Sequence, residues 1–337
     1  MEKTQTKVVV DFIKAFSCAY SVTKNLSQEL VGETDPNLLR SVVGFSSGIS
    51  TMGDTCGVAN GGVAVLGRKY AGLPSERLYL LCSEYFRRLG ERVGTPNCGI
   101  VHGGKHLARN FRRAILTGKT VKCVEVLAHG AQVLKELDRM AAKGDFSFGE
   151  PQRVECIGSA TRHFEERCFH CSRTVISGLA EVLDPPVAHV LDPSKGFIGG
   201  IGFNGTVCGA ISGGVLCLGL QSSVDLSGSG YGDAAGIVFH GLLKSDRIFE
   251  DEKRFRPARL FDGCKRLYQS VEREFGSAHC QEILGLKLDE PGGCEQYQQN
   301  KKIDLCRKIA ETVIGLVKER LETSCQESME QPHTESG

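Results

Sequence analysis

Residues 48–67, GISTMGDTCGVANGGVAVLG, recur at 200–219 as GIGFNGTVCGAISGGVLCLG, with ten of the twenty positions identical at a constant offset of 152. Cys56 pairs with Cys208, and the glycines pair as 48/200, 53/205, 57/209, 61/213, 62/214 and 67/219. A repeat of this kind makes the chain two copies of one unit. Gly53, Gly57 and Gly61, with Gly205, Gly209 and Gly213, recur every four residues and are expected to line one face of a helix. Glycine costs about 1 kcal/mol per helical position relative to alanine, so a bare face signals close approach by another helix or a bound group. A cysteine at the start of that helix has its thiolate favoured by free N–H groups and the helix dipole.

The 337 residues carry a formal net charge of +1, are 41% hydrophobic and lack tryptophan, a balance that fits a globular chain of two domains and gives nucleic acid no support. The N-terminus has no signal-peptide core and no segment nears 18 uninterrupted apolar residues, so no membrane insertion is expected and the chain reads as cytoplasmic. Fifteen cysteines in that compartment point to metal ligation, cluster ligation or thiol redox chemistry rather than a disulfide scaffold.

Residues 8–31 show a 3.6-residue apolar period and are expected to be one helix with Cys18 at its margin. Residues 75–94 form a second amphipathic helix that stops before Cys98, and 99–119 are basic, the pattern of a solvated face. Residues 120–142 give another helix with Cys123 on its apolar stripe. The second copy repeats this order with Cys171, Cys208, Cys280 and Cys306. Intervals 18–56 and 171–208 are 38 and 37 residues, and 98–123 and 280–306 are 25 and 26, while the interval between second and third cysteines grows from 42 to 72. The added residues are expected as a surface insertion at about 220–262, where function is often carried. The implied organisation is an all-α protein of two homologous helical domains forming a pseudo-dimer: repeats at 1–145 and 163–322, a linker at 146–162, and a polar, disordered tail at 323–337. Further homo-oligomerisation stays open.

Each half thus holds a quartet: Cys18, Cys56, Cys98 and Cys123, then Cys171, Cys208, Cys280 and Cys306. Four thiolates suit an iron–sulfur cluster or tetrahedral zinc. A repeat that keeps four cysteines while most other residues change argues against simple buried hydrophobes. The pattern C…CGxxxGG…C…C resembles the C_GCAxxG_C_C family, related to the cysteine-containing domain of split-Soret cytochromes, and the resemblance spans nearly the whole chain twice. It implies that the eight cysteines hold iron–sulfur or related redox centres, in proteins found among oxidoreductase and transporter genes of anaerobes. Val58 departs from the family's alanine, the twin-arginine leader of some members is absent, and without C-x-x-C-H no covalent haem is expected. Cys168 and Cys171 form a bare C-x-x-C, which leaves open which of them is the ligand.

The function expected is electron transfer by thiolate-ligated iron–sulfur clusters, with a redox partner of unknown identity. The alternatives are a thiol–disulfide oxidoreductase with Cys56 and Cys208 as low-pKa nucleophiles, and a structural zinc or metal-storage protein. Cys82, Cys156, Cys168, Cys217, Cys264, Cys294 and Cys325 read as unpaired between copies. His279, beside Cys280, is a candidate donor to a cluster sulfur.

Overall fold

The structure, a computed structural model, describes residues 2–104, 107–244 and 247–330, with the side chains of 107–109, 244, 247 and 324–330 left aside. The first half runs α1 (Lys3–Ala15), α2 (Cys18–Leu30), α3 (Pro36–Ser41), the single turn α4 (Ser46–Ile49), α5 (Gly57–Lys69), α6 (Ser75–Val93), α7 (Cys98–His102), α8 (Leu107–Leu116) and α9 (Val121–Ala142). The second runs α10 (Pro151–Glu166), α11 (Cys171–Gly178), α12 (Ala188–Leu191), α13 (Gly209–Gln221), α14 (Tyr231–Lys244), α15 (Ala258–Phe275), α16 (Cys280–Leu284), α17 (Gly293–Gln299) and α18 (Lys302–Glu330). The chain is all-α. Its extended pairings among the described residues are two isolated bridges, Thr55 with Asn97 and Val207 with His279.

The glycine helices α5 and α13 are the centre of each half. Every residue from Gly57 to Gly67 and from Gly209 to Leu220 is buried, as expected of a helix that is apolar all round. Their bare face receives the second helix of each copy. A methyl at Gly61 would stand 2.8 Å from the Ala19 carbonyl oxygen, and one at Gly213 would stand 2.6 Å from that of Ser172. Gly53 and Gly205 lie outside this face. Each precedes its helix with positive φ, because the helix starts only after Cys56 or Cys208.

Ahead of each glycine helix lies a run of five left-handed residues, 47–51 in the first copy and 199–203 in the second. Such conformations cost about 1–2 kcal/mol at a non-glycine residue. The run is held because it folds Gly48 onto the Asp54 backbone, with Asp54 N–H donating to the Gly48 carbonyl at 3.0 Å.

The halves interlock through contacts between matched positions. Phe45 stacks on its counterpart Phe197 at 5.1 Å between ring centroids. Gly44 faces the Cys264 thiol and Gly196 the Cys82 thiol, each across the boundary between halves. Cys82 and Cys264 are therefore matched positions, contrary to the unpaired reading, and the gap in spacing between copies had hidden the match. Gly67 lies under the carbonyls of Asp192 and Pro193, and Gly219 under that of Ser41.

Several boundaries differ from the sequence reading. Phe16, left-handed at φ 52°, splits the single helix expected over 8–31 into α1 and α2. The stretch read as a linker carries α10, whose Pro151 occupies the first helical turn, where its fixed φ is favourable; α10 packs on α6 of the first half and α17 of the second. The insertion is α14 and a 3-10 turn at Arg247–Glu250, laid on α1 and α8 of the first half rather than standing free. A ladder of rings holds it there: Phe16–Phe111 at 5.6 Å, Phe111–Phe249 at 5.1 Å, Phe249–Phe255 at 5.1 Å and Phe255–Phe261 at 4.9 Å. Helix α18 continues to Glu330, so the tail read as disordered is helical in its first part, and 331–337 lie outside the described residues. Among the described residues no helix is long and apolar enough to cross a membrane.

Gly61→Ala and Gly213→Ala should each destabilise the fold by about 1–3 kcal/mol through overpacking. Gly315→Ala, in α18 with nothing within 4 Å of the added methyl, should stabilise by about 0.5–1 kcal/mol. Denaturant unfolding followed by helical circular dichroism checks all three, and equal effects at the three sites would contradict the packing described.

Candidate functional site

The bridge between Thr55 and Asn97 sets the second and third cysteines of the first half side by side. Cys56 N–H donates to the Pro96 carbonyl at 2.8 Å, and Cys98 N–H to the Asp54 carbonyl at 2.8 Å. The second copy repeats this with Cys208 to Ala278 at 2.8 Å and Cys280 to Thr206 at 2.7 Å. The first cysteine joins them through the glycine helix, because a methyl at Gly57 would lie 2.5 Å from Cys18 Sγ and one at Gly209 2.3 Å from Cys171 Sγ. Only glycine at this position lets the thiol approach the start of the helix. Cys18 opens α2, Cys56 caps α5, Cys98 opens α7 and Cys123 lies in the first turn of α9.

All four thiols of the first quartet line one cavity of about 90 Å³, with Phe12, Phe16, Val58, Val101, Phe111, Ala114, Val126 and Phe249 among its walls. At about 24 cal/mol per Å³, a void of that size costs about 2 kcal/mol if nothing fills it. His102 also lines it, with Nε2 3.2 Å from Cys123 Sγ and the buried Nδ1 without a hydrogen-bond partner. Burial, aided by Lys119 and Lys122, lowers the His102 pKa, so the ring is neutral near pH 7. The donor set, the void and the orphaned imidazole nitrogen together fit a bound thiolate-ligated group. In the conformation described, no three His, Cys, Asp or Glu side chains among the described residues are gathered as a metal ion would require.

Cys56 differs from the other seven cysteines. Its pKa is lowered, first by a hydrogen bond from Cys98 and then, against burial, by the Val58 and Ala59 N–H groups of α5. Cys98 is raised well above the usual thiol value by that same bond and by burial, Cys123 is raised well above it by burial, and burial pushes Cys18 up to about 12. Cys208 has the matching helix N–H groups, from Ala210 and Ile211, but there burial wins and the pKa is raised.

The second quartet is filled differently. Tyr297, fully buried, donates its hydroxyl to Cys306 Sγ at 3.3 Å, and burial followed by Cys306, Cys280 and Cys171 raises its own pKa. Nine residues before the fourth cysteine, the second copy has this tyrosine where the first has Ala114, a wall of the cavity. Leu284 stands where the first copy has His102, four residues after the third cysteine. Cys171 is buried at the start of α11 and Cys168 is exposed, which separates the two members of the C-x-x-C.

Both ring nitrogens of His279 lie at carboxylates, Nδ1 at 3.4 Å from Glu282. Its Nε2 pairs with Asp54 at 2.7 Å across the boundary between halves, where the buried carboxylate also accepts from Tyr268 Oη at 2.5 Å and from Thr55 N–H at 2.6 Å. The histidine that does reach a sulfur, His102, was legible in the sequence only as a side chain one helical turn after Cys98. Cys217, Cys264, Cys82 and Cys294 are buried away from the cavity walls, Cys156 is half-buried, and the side chain of Cys325 lies outside the described residues.

A family model described as "Putative redox-active protein (C_GCAxxG_C_C)" matches residues 16–137 and again 169–320. An uncharacterized protein of Archaeoglobus fulgidus is 25% identical over 144 residues, covering 39% of this chain and 91% of its own length. No solved structure matches.

Asp54→Ala should destabilise by about 1–3 kcal/mol, since it removes the buried acceptor of Tyr268 Oη and of His279 Nε2. Thr206→Val, at the matching position where Oγ1 is buried without a partner, should be neutral or stabilising. Thermal and urea unfolding of the two variants read the contrast, and a larger loss in Thr206→Val would overturn it.

Proposed function

The chain belongs to the C_GCAxxG_C_C family, and from that premise we propose that it is an electron-transfer protein whose first half carries one iron–sulfur cluster on Cys18, Cys56, Cys98 and Cys123. The observation that supports this reading is the convergence of those four thiols, from four separate helices, on a single apolar cavity. A thiolate-ligated cluster supplies one-electron chemistry at a potential set by burial and by hydrogen bonds to sulfur.

The residues around the cavity supply both of those settings. The Val58 and Ala59 N–H groups at the start of α5 favour the Cys56 thiolate, and the Ser47 and Ala19 N–H groups that of Cys18, against the penalty of burial. The N-terminal turns of α2, α5 and α9 add positive field at the same place. His102 Nε2 lies at Cys123 Sγ, and phenylalanine walls, with Phe249 reaching over from the insertion, make the lining apolar. The second quartet is left out of the proposal because Tyr297 stands among its thiols.

A second reading has its own observation. Cys56 and Cys98, set side by side by the Thr55–Asn97 bridge and with the Cys56 pKa lowered by Cys98, are the arrangement of a dithiol, whose oxidation to a disulfide would release two protons and two electrons to an accepting disulfide or carrier.

Protein purified without oxygen should be brown and contain iron and acid-labile sulfide for one cluster per chain. Cys56→Ser and Ala114→Tyr should each abolish both, while Cys208→Ser and Cys168→Ser leave them in place. Loss in Cys208→Ser equal to that in Cys56→Ser would return the second quartet to the proposal. A colourless, metal-free protein with a titratable Cys56–Cys98 disulfide would establish the dithiol reading, and stoichiometric zinc would establish a structural metal site.

A further inference from the structure

The duplicated scaffold lets the two copies be compared at the segment that covers each quartet. Between Cys98 and Cys123 there are six Lys or Arg and no Asp or Glu, a net charge of +6. Between Cys280 and Cys306 there are three Lys and five Asp or Glu, a net charge of −2. The same structural position has thus diverged to opposite sign. The positive cover belongs to the half with the cavity.

Over that half lies a surface hollow of about 360 Å³ lined by Ile100, Val101, Lys122, Glu125 and Val126 among others. Val101 and Val126 are also walls of the thiol cavity, so the hollow and the cavity are one side chain apart. Ile100, in the lining of the hollow, is 68% exposed, and Leu116 at 69% and Val121 at 61% are exposed in the same stretch of chain between the third and fourth cysteines. Arg112, Arg113 and Lys122 are exposed in the same stretch of chain, while Arg92, also in the lining of the hollow, is paired with Glu136. Glu125 is the acidic group in the lining of the hollow. Aliphatic groups set among positive charge fit a partner with an acidic ring around an apolar centre.

We propose that this surface docks a small acidic electron-carrier protein, which exchanges one electron with the cavity through the Val101–Val126 wall. This rests on the electron-transfer reading above. A thiolate-ligated centre held by Cys18, Cys56, Cys98 and Cys123 would accept one electron from the carrier's reduced centre, with no bond made or broken in either protein.

The test uses the full chain with a plant-type [2Fe–2S] ferredoxin as the acidic probe, read by calorimetric binding and by stopped-flow reduction. Binding should weaken steadily as salt rises, because exposed charges are screened within about 10 Å at 0.1 M ionic strength. The triple variant Arg112→Glu, Arg113→Glu, Lys122→Glu should lose at least about tenfold in association rate at low salt, the lower end of what electrostatic steering supplies. Its iron content and its reduction by dithionite should match wild type, and Glu290→Lys with Glu295→Lys on the second half should bind ferredoxin as wild type does. Equal binding by the triple variant, absence of binding at low salt, or self-association of the chain through this face would overturn the proposal. A colourless protein that still binds ferredoxin with the expected salt dependence would sink the cluster reading and leave the docking surface standing.

Discussion

Backbone contact across the bare face of the glycine helix is the interaction on which the rest of this structure depends. Where Gly57 and Gly61 in α5 lack side chains, α2 comes close enough for its carbonyls and its first thiol to touch the helix directly. The missing methyls cost helix stability locally, and the burial of both helices on every side offsets that cost. This contact also aims the start of α2 at the start of α5. With the bridge between Thr55 and Asn97 added, three cysteines that are 38 and 42 residues apart in the chain meet at the ends of three helices. The fourth arrives on α9, which packs against both α2 and α5.

The duplication built this arrangement twice, and the two copies then diverged in what occupies the space between the thiols. In the first, a small residue at 114 and a histidine at 102, its Nε2 at the Cys123 thiol, line a cavity. In the second, Tyr297 and Leu284 fill the corresponding positions. The first copy has a void lined by its four thiols, and in the second a phenol–thiol hydrogen bond from Tyr297 stands at the place matching Ala114. Divergence of the covering segment from positive to negative follows the same division.

Neither half is independent of the other. The Cys82 and Cys264 thiols each fill the space above a glycine of the opposite copy, Phe45 stacks on Phe197, and Asp54 of the first half is satisfied by Tyr268 and His279 of the second. The insertion in the second copy closes the first copy's cavity with Phe249. A homodimer of identical units would place such an insertion over both sites. Fusion into one chain allows it to serve one site alone.

The sequence by itself determined the all-α class, the twofold repetition, the two quartets and their pairing between copies, and the position of the insertion. These were legible because glycine and cysteine report on constraints that are local in the chain: a helix face without side chains, and a thiol kept at the start of a helix. It misjudged the single helix over 8–31, because the left-handed Phe16 interrupts the backbone without interrupting the apolar period. It likewise read α10 as a linker, because proline marks both a break and a helix start. Which histidine reaches a sulfur, which side chain stands beside the fourth cysteine of each quartet, and where the insertion lies were decided only by tertiary structure. Each of those depends on side chains brought together from elements dozens of residues apart, and chain spacing carries no record of which of them end up facing the same space.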